Sequence, residues 1–266
     1  MRISSWDEFL AAPPPPQGAA MTIGGFDGIH RGHELLLKTV LSQNDHGEAT
    51  VVTFLRSPKA LLRPKDYPGD ICTLAQKLEI FEGRGVAHTI LIDFSKNFST
   101  MSGRNFIEFL VTRGGLRRLV VGSNFRCGHR MDTGVEQIRE LLVPGKIPVE
   151  VIESLMYGTA PVSSSRIRAA LGEGDIALAS ELLGRPFELD LEGSISGGKG
   201  GVTSYELSGL GRLAPPPGVY EALVRSGRGP ACTEIRTEIR IAGGQVLVPL
   251  SVEAPRIKFL QGTQGV

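Results

Sequence analysis

Over the first two thirds of the chain, short apolar runs alternate with segments whose apolar positions recur every three to four residues. The runs Met21–Gly24, Ala49–Phe54, Thr89–Ile92, Arg118–Gly122 and Val149–Glu153 are bounded by Gly, Pro or charge, which predicts buried strands. Between them, Glu34–Gln43, Thr73–Arg84, Ser102–Arg113, Gly134–Leu142 and Ser163–Leu171 carry the helical period. This alternation predicts an α/β domain, a parallel sheet joined by right-handed crossovers with helices on both faces. Its binding crevice is expected at the carboxyl ends of the strands.

Beyond Glu181–Leu189 the texture changes to glycine-rich turns and short alternating runs at Val219–Arg225, Thr233–Ile241, Val246–Val252 and Arg256–Leu260, the pattern of a small antiparallel β domain. With 266 residues and 41% hydrophobic side chains the chain can bury two cores, and the domains are placed at 1–186 and 187–266. The proline-rich Ala12–Pro16 and Ala214–Gly218 read as rigid connectors. Lys and Arg number 29 against 28 Asp and Glu, so no basic field draws the chain to nucleic acid or an anionic membrane. Any polyanion it binds is small and met by local groups. Cys72, Cys127 and Cys232 are widely spaced and form no Cys-x-x-Cys, which argues against a disulfide framework and a structural zinc site. The stretch Met1–Pro16 lacks the apolar core of a signal peptide, and no run approaches the roughly 20 apolar residues of a membrane span. A soluble, cytoplasmic protein is expected.

Candidate chemistry concentrates in TIGGFDGIHRGHELLL, Thr22 to Leu37. A strand runs into glycines that allow positive φ and close approach of a ligand, and the helix that follows turns its free N–H groups toward the crevice. His30 and His33 are neighbours on the helical start, with Gly32 between them leaving the backbone open. Imidazole N–H donors there suit a phosphate whose charge grows in a transition state. A His-x-x-His pair with no third ligand at useful spacing is poor evidence for zinc, and no protein metal ligand is assigned.

The combined Gly24, Phe26, Asp27, Gly28, His30, Gly32 and His33 pattern resembles the His-x-Gly-His signature of the nucleotidyltransferase superfamily, and in its Phe-Asp-Gly form resembles bacterial FAD synthetase. VVGSNFRCGHR resembles that family's Gly-x-Asn-Phe-x-x-Gly loop at Gly122, Asn124, Phe125 and Gly128. VSSSRIRAAL resembles its Ser-Ser-Thr-x-x-Arg motif at Ser163, Ser164, Ser165 and Arg168, with Ser in place of Thr; read alone, it is also a good helix cap. VVTFLRSP keeps Thr53, Phe54 and Pro58 of the family's flavin-side strand end and departs from it at Arg56 and Ser57. Phe94, Phe98, Ser102, Phe106 and Ile107 match a further aromatic pattern, in which Phe94 or Phe98 suits stacking on a flat ring.

The resemblance covers about Met21 to Pro186 and implies a Rossmann-like doubly wound domain that transfers AMP from ATP to FMN, with magnesium accompanying the ATP. It implies His30, His33 and Arg168 as catalytic residues. ATP contacts would come from Gly24, Phe26, Asp27, Gly28, His30, Gly32, His33, Asn124, Ser164, Ser165 and Arg168, and flavin contacts from Thr53, Phe54, Pro58, Phe94, Phe98 and Asn124. Asp27 is open between magnesium, through water, and the turn's own backbone. The family often continues into a riboflavin kinase domain marked by Gly-Phe-Pro-Thr-Ala-Asn. No Pro-Thr-Ala-Asn follows Leu191 here, although Pro216–Val224 resembles the kinase's Pro-x-Gly-Val-Tyr strand. The expectation is a degenerate, barrel-like β domain without kinase chemistry. Alternatives are a bifunctional kinase and synthetase, a nucleotidyltransferase for another small phosphate, and a non-catalytic flavin or nucleotide sensor.

Overall fold

The computed structural model describes residues 1–42, 47–94, 98–199, 201–226, 233–249 and 255–261. The chain forms two compact units, residues 1–67 with 74–161, and residues 68–73 with 162–266. In the first unit the elements are β1 (Arg2–Ser5), α1 (Trp6–Ala11), β2 (Ala19–Ile23), α2 (Arg31–Leu41), β3 (Glu48–Phe54), α3 (Pro58–Leu62), α4 (Leu74–Gly83) and β4 (His88–Ile92). Then come α5 (Gly103–Thr112), β5 (Leu116–Gly122), β6 (Arg126–Cys127), β7 (Thr133–Gly134), α6 (Val135–Leu142), β8 (Val149–Ile152), β9 (Met156–Tyr157) and β10 (Ala160–Pro161).

Six strands make a parallel sheet in the order β1-β4-β3-β2-β5-β8. All five residues of the central β2 are buried, as its continuous apolar run requires. Met21 and Ile23 pack with Trp6, Phe9, Phe106, Leu110 and Ile138 from α1, α5 and α6. Ala20 lies in the opposite layer with Leu37, Val40 and Phe81 from α2 and α4. Helices therefore cover both faces, and the doubly wound expectation holds. The expected strands and helices of this unit are present with ends shifted by a few residues; Gln43 lies outside the described residues.

The sequence pattern missed β1, α1 and α3. β1 is a mostly exposed edge strand with no apolar run, paired in parallel with β4. α1 starts at a capping box, in which Glu8 N–H donates to Ser5 Oγ at 3.2 Å and Ser5 N–H to Glu8 Oε2 at 2.7 Å.

The second unit holds α7 (Ser164–Gly172), α8 (Ile176–Leu183), β11 (Glu188–Asp190), β12 (Ser196–Lys199), β13 (Val202–Glu206), β14 (Gly218–Ser226), β15 (Thr233–Ala242), β16 (Gln245–Val248) and β17 (Arg256–Gln261). Its strands form a curled antiparallel sheet ordered β11-β17-β14-β15-β16-β13-β12, so the expected barrel-like β domain is present but open at β11 and β12. Residues 250–252 of the expected Val246–Val252 strand lie outside the described residues. The division between units falls after Pro161 rather than at 186, because α7 packs on α8 and α8 on β17. Residues 68–73 join this unit through buried Asp190, which accepts from Thr73 Oγ1 at 3.1 Å and lies 3.5 Å from Arg256 Nε. Asp70 also exchanges backbone bonds with Gly211 and Leu213. No described helix is long and apolar enough to cross a membrane.

At the amino end of the first sheet, His88 is buried in a polar network. Arg2 Nη2 donates to its Nδ1 at 3.0 Å, its Nε2 lies 2.7 Å from Ser4 Oγ, and Glu48 bonds Arg2. A cavity of about 170 Å³ beside it contains none of the expected site residues. Arg2 is only a donor, so Nε2 carries the proton and gives it to Ser4; this ring is no base for that serine. Burial, then the Arg2 charge, pushes the His88 pKa down from 6.5 to about 4. A lowered imidazole pKa means that the neutral ring's contribution is complete above about pH 6.5 and is lost as pH falls toward about 4. Urea unfolding across that window should show a loss on the order of 2–3 kcal/mol, largely absent in His88→Gln; identical slopes in the two proteins would refute the assignment.

Candidate active site

The turn between β2 and α2 follows an uncommon backbone path. Phe26, Gly28 and Ile29 have φ of 47°, 81° and 39°. Glycine adopts such values freely, whereas a β-branched residue there is strained. The side chains of Phe26 and Ile29 hold the turn, at 1% and 0% exposure. Phe26 meets Phe81 edge-on at 5.5 Å between ring centroids, and a Cβ at Gly24 would come within 3.1 Å of the Phe26 ring. Phe26 is thus a core anchor, and its approach to any ligand is through its backbone. The position a Cβ would take at Gly25 has no atom within 4 Å, which leaves that face of the turn open.

His30 is the N-cap of α2, where its Nδ1 accepts from His33 N–H at 3.3 Å. A ring nitrogen that accepts carries no proton, so the neutral His30 ring presents Nε2–H as its donor. The ring of His33 stacks on that of His30, with centroids 3.7 Å apart and planes at 15°, and leans on Phe26 at 5.0 Å. Asp27 and Gly32 lie in the same turn and first helical turn, each half-buried. Arg84 clamps Glu34 with two bonds of 2.9 Å, which ties the start of α2 to the end of α4.

β3 and β5 flank β2, and the chain winds outward in opposite directions from β2, so the turn stands where the strand order reverses. Asn124 is exposed in the turn just past β5, beside the end of β2. On the other side, Thr53 is fully buried and its Oγ1 donates to Gly25 O at 3.4 Å. Phe54 and Phe94 meet edge-on at 5.9 Å, and Phe94 and Phe98 lie 6.3 Å apart. Phe98 also packs on Trp6 and Phe106, so it is shared with the core. Pro58 is the first residue of α3. Sequence reasoning passed over Lys77, 7% exposed on α4, whose Nζ reaches the carbonyls of Gly25 and Phe54 at 3.5 and 3.4 Å.

Ser164, Ser165 and Arg168 belong to the second unit. Ser163 takes the capping role, accepting from Arg166 N–H at 3.2 Å, while Ser164 and Ser165 open the first turn of α7. Arg168 Nε donates to Gly69 O at 3.2 Å. Burial, then Asp132, pushes the Cys127 thiol up to about 12, against Arg126; it stays protonated and unreactive. Cys232 lies outside the described residues. Among the described residues, no group of three or more His, Cys, Asp or Glu gathers to hold a metal.

The family model for FAD synthetase matches residues 12–166, more than half of the chain. The bifunctional riboflavin kinase/FMN adenylyltransferase of Buchnera aphidicola subsp. Schizaphis graminum is 30% identical over 76% of this chain and 67% of its own length. The FAD synthetase of Listeria monocytogenes is 30% identical over 80% and 84%, and the bifunctional enzyme of Escherichia coli K12 is 28% identical over 86% and 76%. A crystal structure from Streptococcus pneumoniae, named a macrolide-efflux protein, shares the fold with a TM-score of 0.79 over 98% of this chain and 99% of that one, at 20% identity. The matched segment contains the strained turn, both stacked histidines, the strand ends beside them and the exposed Asn124, and the chain belongs to the FAD synthetase family.

Proposed function

We propose that this chain is an FMN adenylyltransferase, which passes AMP from ATP to FMN and releases FAD and pyrophosphate. The observation that carries the reading is the anchored turn Phe26–Ile29, which places two imidazoles and a helix start at the reversal point of the sheet inside the family segment. An oxygen of the FMN 5′-phosphate attacks the α-phosphorus of ATP in line. The new P–O bond forms as the bond to the bridging oxygen breaks, and pyrophosphate leaves with that electron pair. The attacking phosphate is already an anion, so neither a strong base nor a covalent enzyme intermediate is needed; positioning and charge stabilisation remain as the chain's task.

His30 Nε2–H and the His33 ring serve the transferring and leaving phosphates, as donors whose bonds strengthen when charge builds on oxygen. Asn124 serves the adenosine and the adjoining flavin edge. Thr53, Phe54, Pro58, Phe94 and Phe98 form the flavin side, where the Phe54–Phe94 pair supports a flat ring. The part of Ser164, Ser165 and Arg168 in holding the β- and γ-phosphates rests on the motif alone. Magnesium would screen phosphate charge, held chiefly by substrate oxygens and water, and Asp27, the turn's one carboxylate, would either meet it through water or serve the turn's own backbone. Loss of riboflavin kinase chemistry rests on the missing Pro-Thr-Ala-Asn.

Purified chain given Mg-ATP with FMN should yield FAD on chromatography, and given riboflavin should yield no FMN; FMN from riboflavin would overturn the loss of kinase chemistry, and no product from FMN would overturn the transferase itself. His30→Ala should lose turnover together with about 1 kcal/mol of stability, since the helix cap goes too. His30→Asn keeps a capping side chain and should lose turnover alone; retention of full turnover in that variant would reduce His30 to a cap. His33→Ala should lower kcat by about 100-fold or more with ATP binding nearly unchanged, whereas an unchanged kcat with a raised KM for ATP would assign His33 to ground-state binding.

A further inference from the structure

Lys77 stands on α4 one helical turn before buried Phe81 and is itself 7% exposed. Its ammonium rests on two neutral acceptors, the carbonyls of Gly25 and Phe54, at 3.5 and 3.4 Å. Gly25 opens the histidine turn after β2, and Phe54 ends β3 beside the Phe94 ring, so the cation lies at the carboxyl edge of the sheet where those two groups of residues adjoin. Two long bonds use two of its three N–H groups. Among the described residues, no carboxylate pairs with it. A buried cation is costly without an opposing charge, and carbonyl dipoles supply only part of one.

Given FMN as acceptor, the missing charge has a source. The reaction brings a phosphate dianion against a triphosphate, and their repulsion opposes approach unless a cation stands at the junction. The start of α2 and its two imidazoles serve the nucleotide, whereas Lys77 is tied to the strand that leads to the aromatic cluster. We infer that Lys77 binds the 5′-phosphate of FMN, holding the attacking group between the histidine turn and the end of β3. Its carbonyl contacts fix the ammonium in place before substrate arrives, so little ordering remains when the phosphate binds.

Riboflavin differs from FMN by that phosphate, and quenching of flavin fluorescence reads the affinity of the full chain for each. Wild type should prefer FMN. Lys77→Gln should lose that preference by roughly 10- to 100-fold with riboflavin and ATP affinities unchanged, and Lys77→Arg should keep most of it. An equal loss for FMN and riboflavin, as a purely structural lysine would give, overturns the inference, and so does an undiminished preference in Lys77→Gln. If Lys77→Gln does not fold by circular dichroism, Lys77→Met, which tolerates burial without charge, takes its place in the same comparison. Wild type that makes no FAD from FMN overturns the transferase reading, whereas normal FAD formation with Lys77→Gln unchanged overturns the lysine assignment alone.

Discussion

Burial of Phe26 and Ile29 beneath α2 keeps the chain on a path that side chains seldom adopt, and the candidate site depends on that path. Each left-handed non-glycine residue costs on the order of 1–3 kcal/mol, and full burial of a large apolar side chain contributes a similar amount. Two anchors at 1% and 0% exposure therefore suffice to offset the strain of their own backbone. The anchoring Phe and Ile face the core, and the polar residues between and after them, Asp27 and His30, take their places along the backbone path the two anchors fix. Side chains buried in the core thus decide where the histidines stand.

From that turn the dependence runs outward in both directions. Downstream, His30 ends the strained path and begins α2, so one ring satisfies a helix N–H with Nδ1 and carries its proton on Nε2. Upstream, the Gly25 carbonyl is gripped by Thr53 and Lys77, which ties the turn to the neighbouring strand and to α4. The sheet order supplies the rest, because a turn at the reversal point has no crossover helix lying over it. Local strain, a helix cap and a topological gap converge on the same few residues.

Much of this was legible in the chain itself, where the signal was local. Strand and helix periods located the first sheet, and the Gly, Phe-Asp-Gly and His-x-Gly-His spacing located the turn. The buried role of Phe26 was hidden, since a motif does not say which of its residues faces inward. Lys77 was hidden for another reason: its burial depends on the meeting of residues 25, 54 and 77, and no short window contains all three. β1 was missed because an exposed edge strand has no apolar run. α8 carried readable signals, an Asp175 cap whose Oδ1 accepts from Leu178 N–H and Gly184 at φ 74° as its stop, but its place in the second unit depends on contacts with β17 far along the chain.

Residues 68–73 are a short excursion. The backbone leaves the first unit at Tyr67, contributes Asp70 and Thr73 to the second, and returns at Leu74, long before it crosses for good after Pro161. Three crossings mean that no single cut in the gene separates the two units cleanly. A chain ended at Pro161 would keep the six residues of the excursion while losing Asp190, Arg212 and Arg256, the groups that neutralise and bond them. With a segment stitched in this way, the second unit's fold draws on residues from both sides of the first unit's last strand, so the two units are bound to fold from one continuous chain.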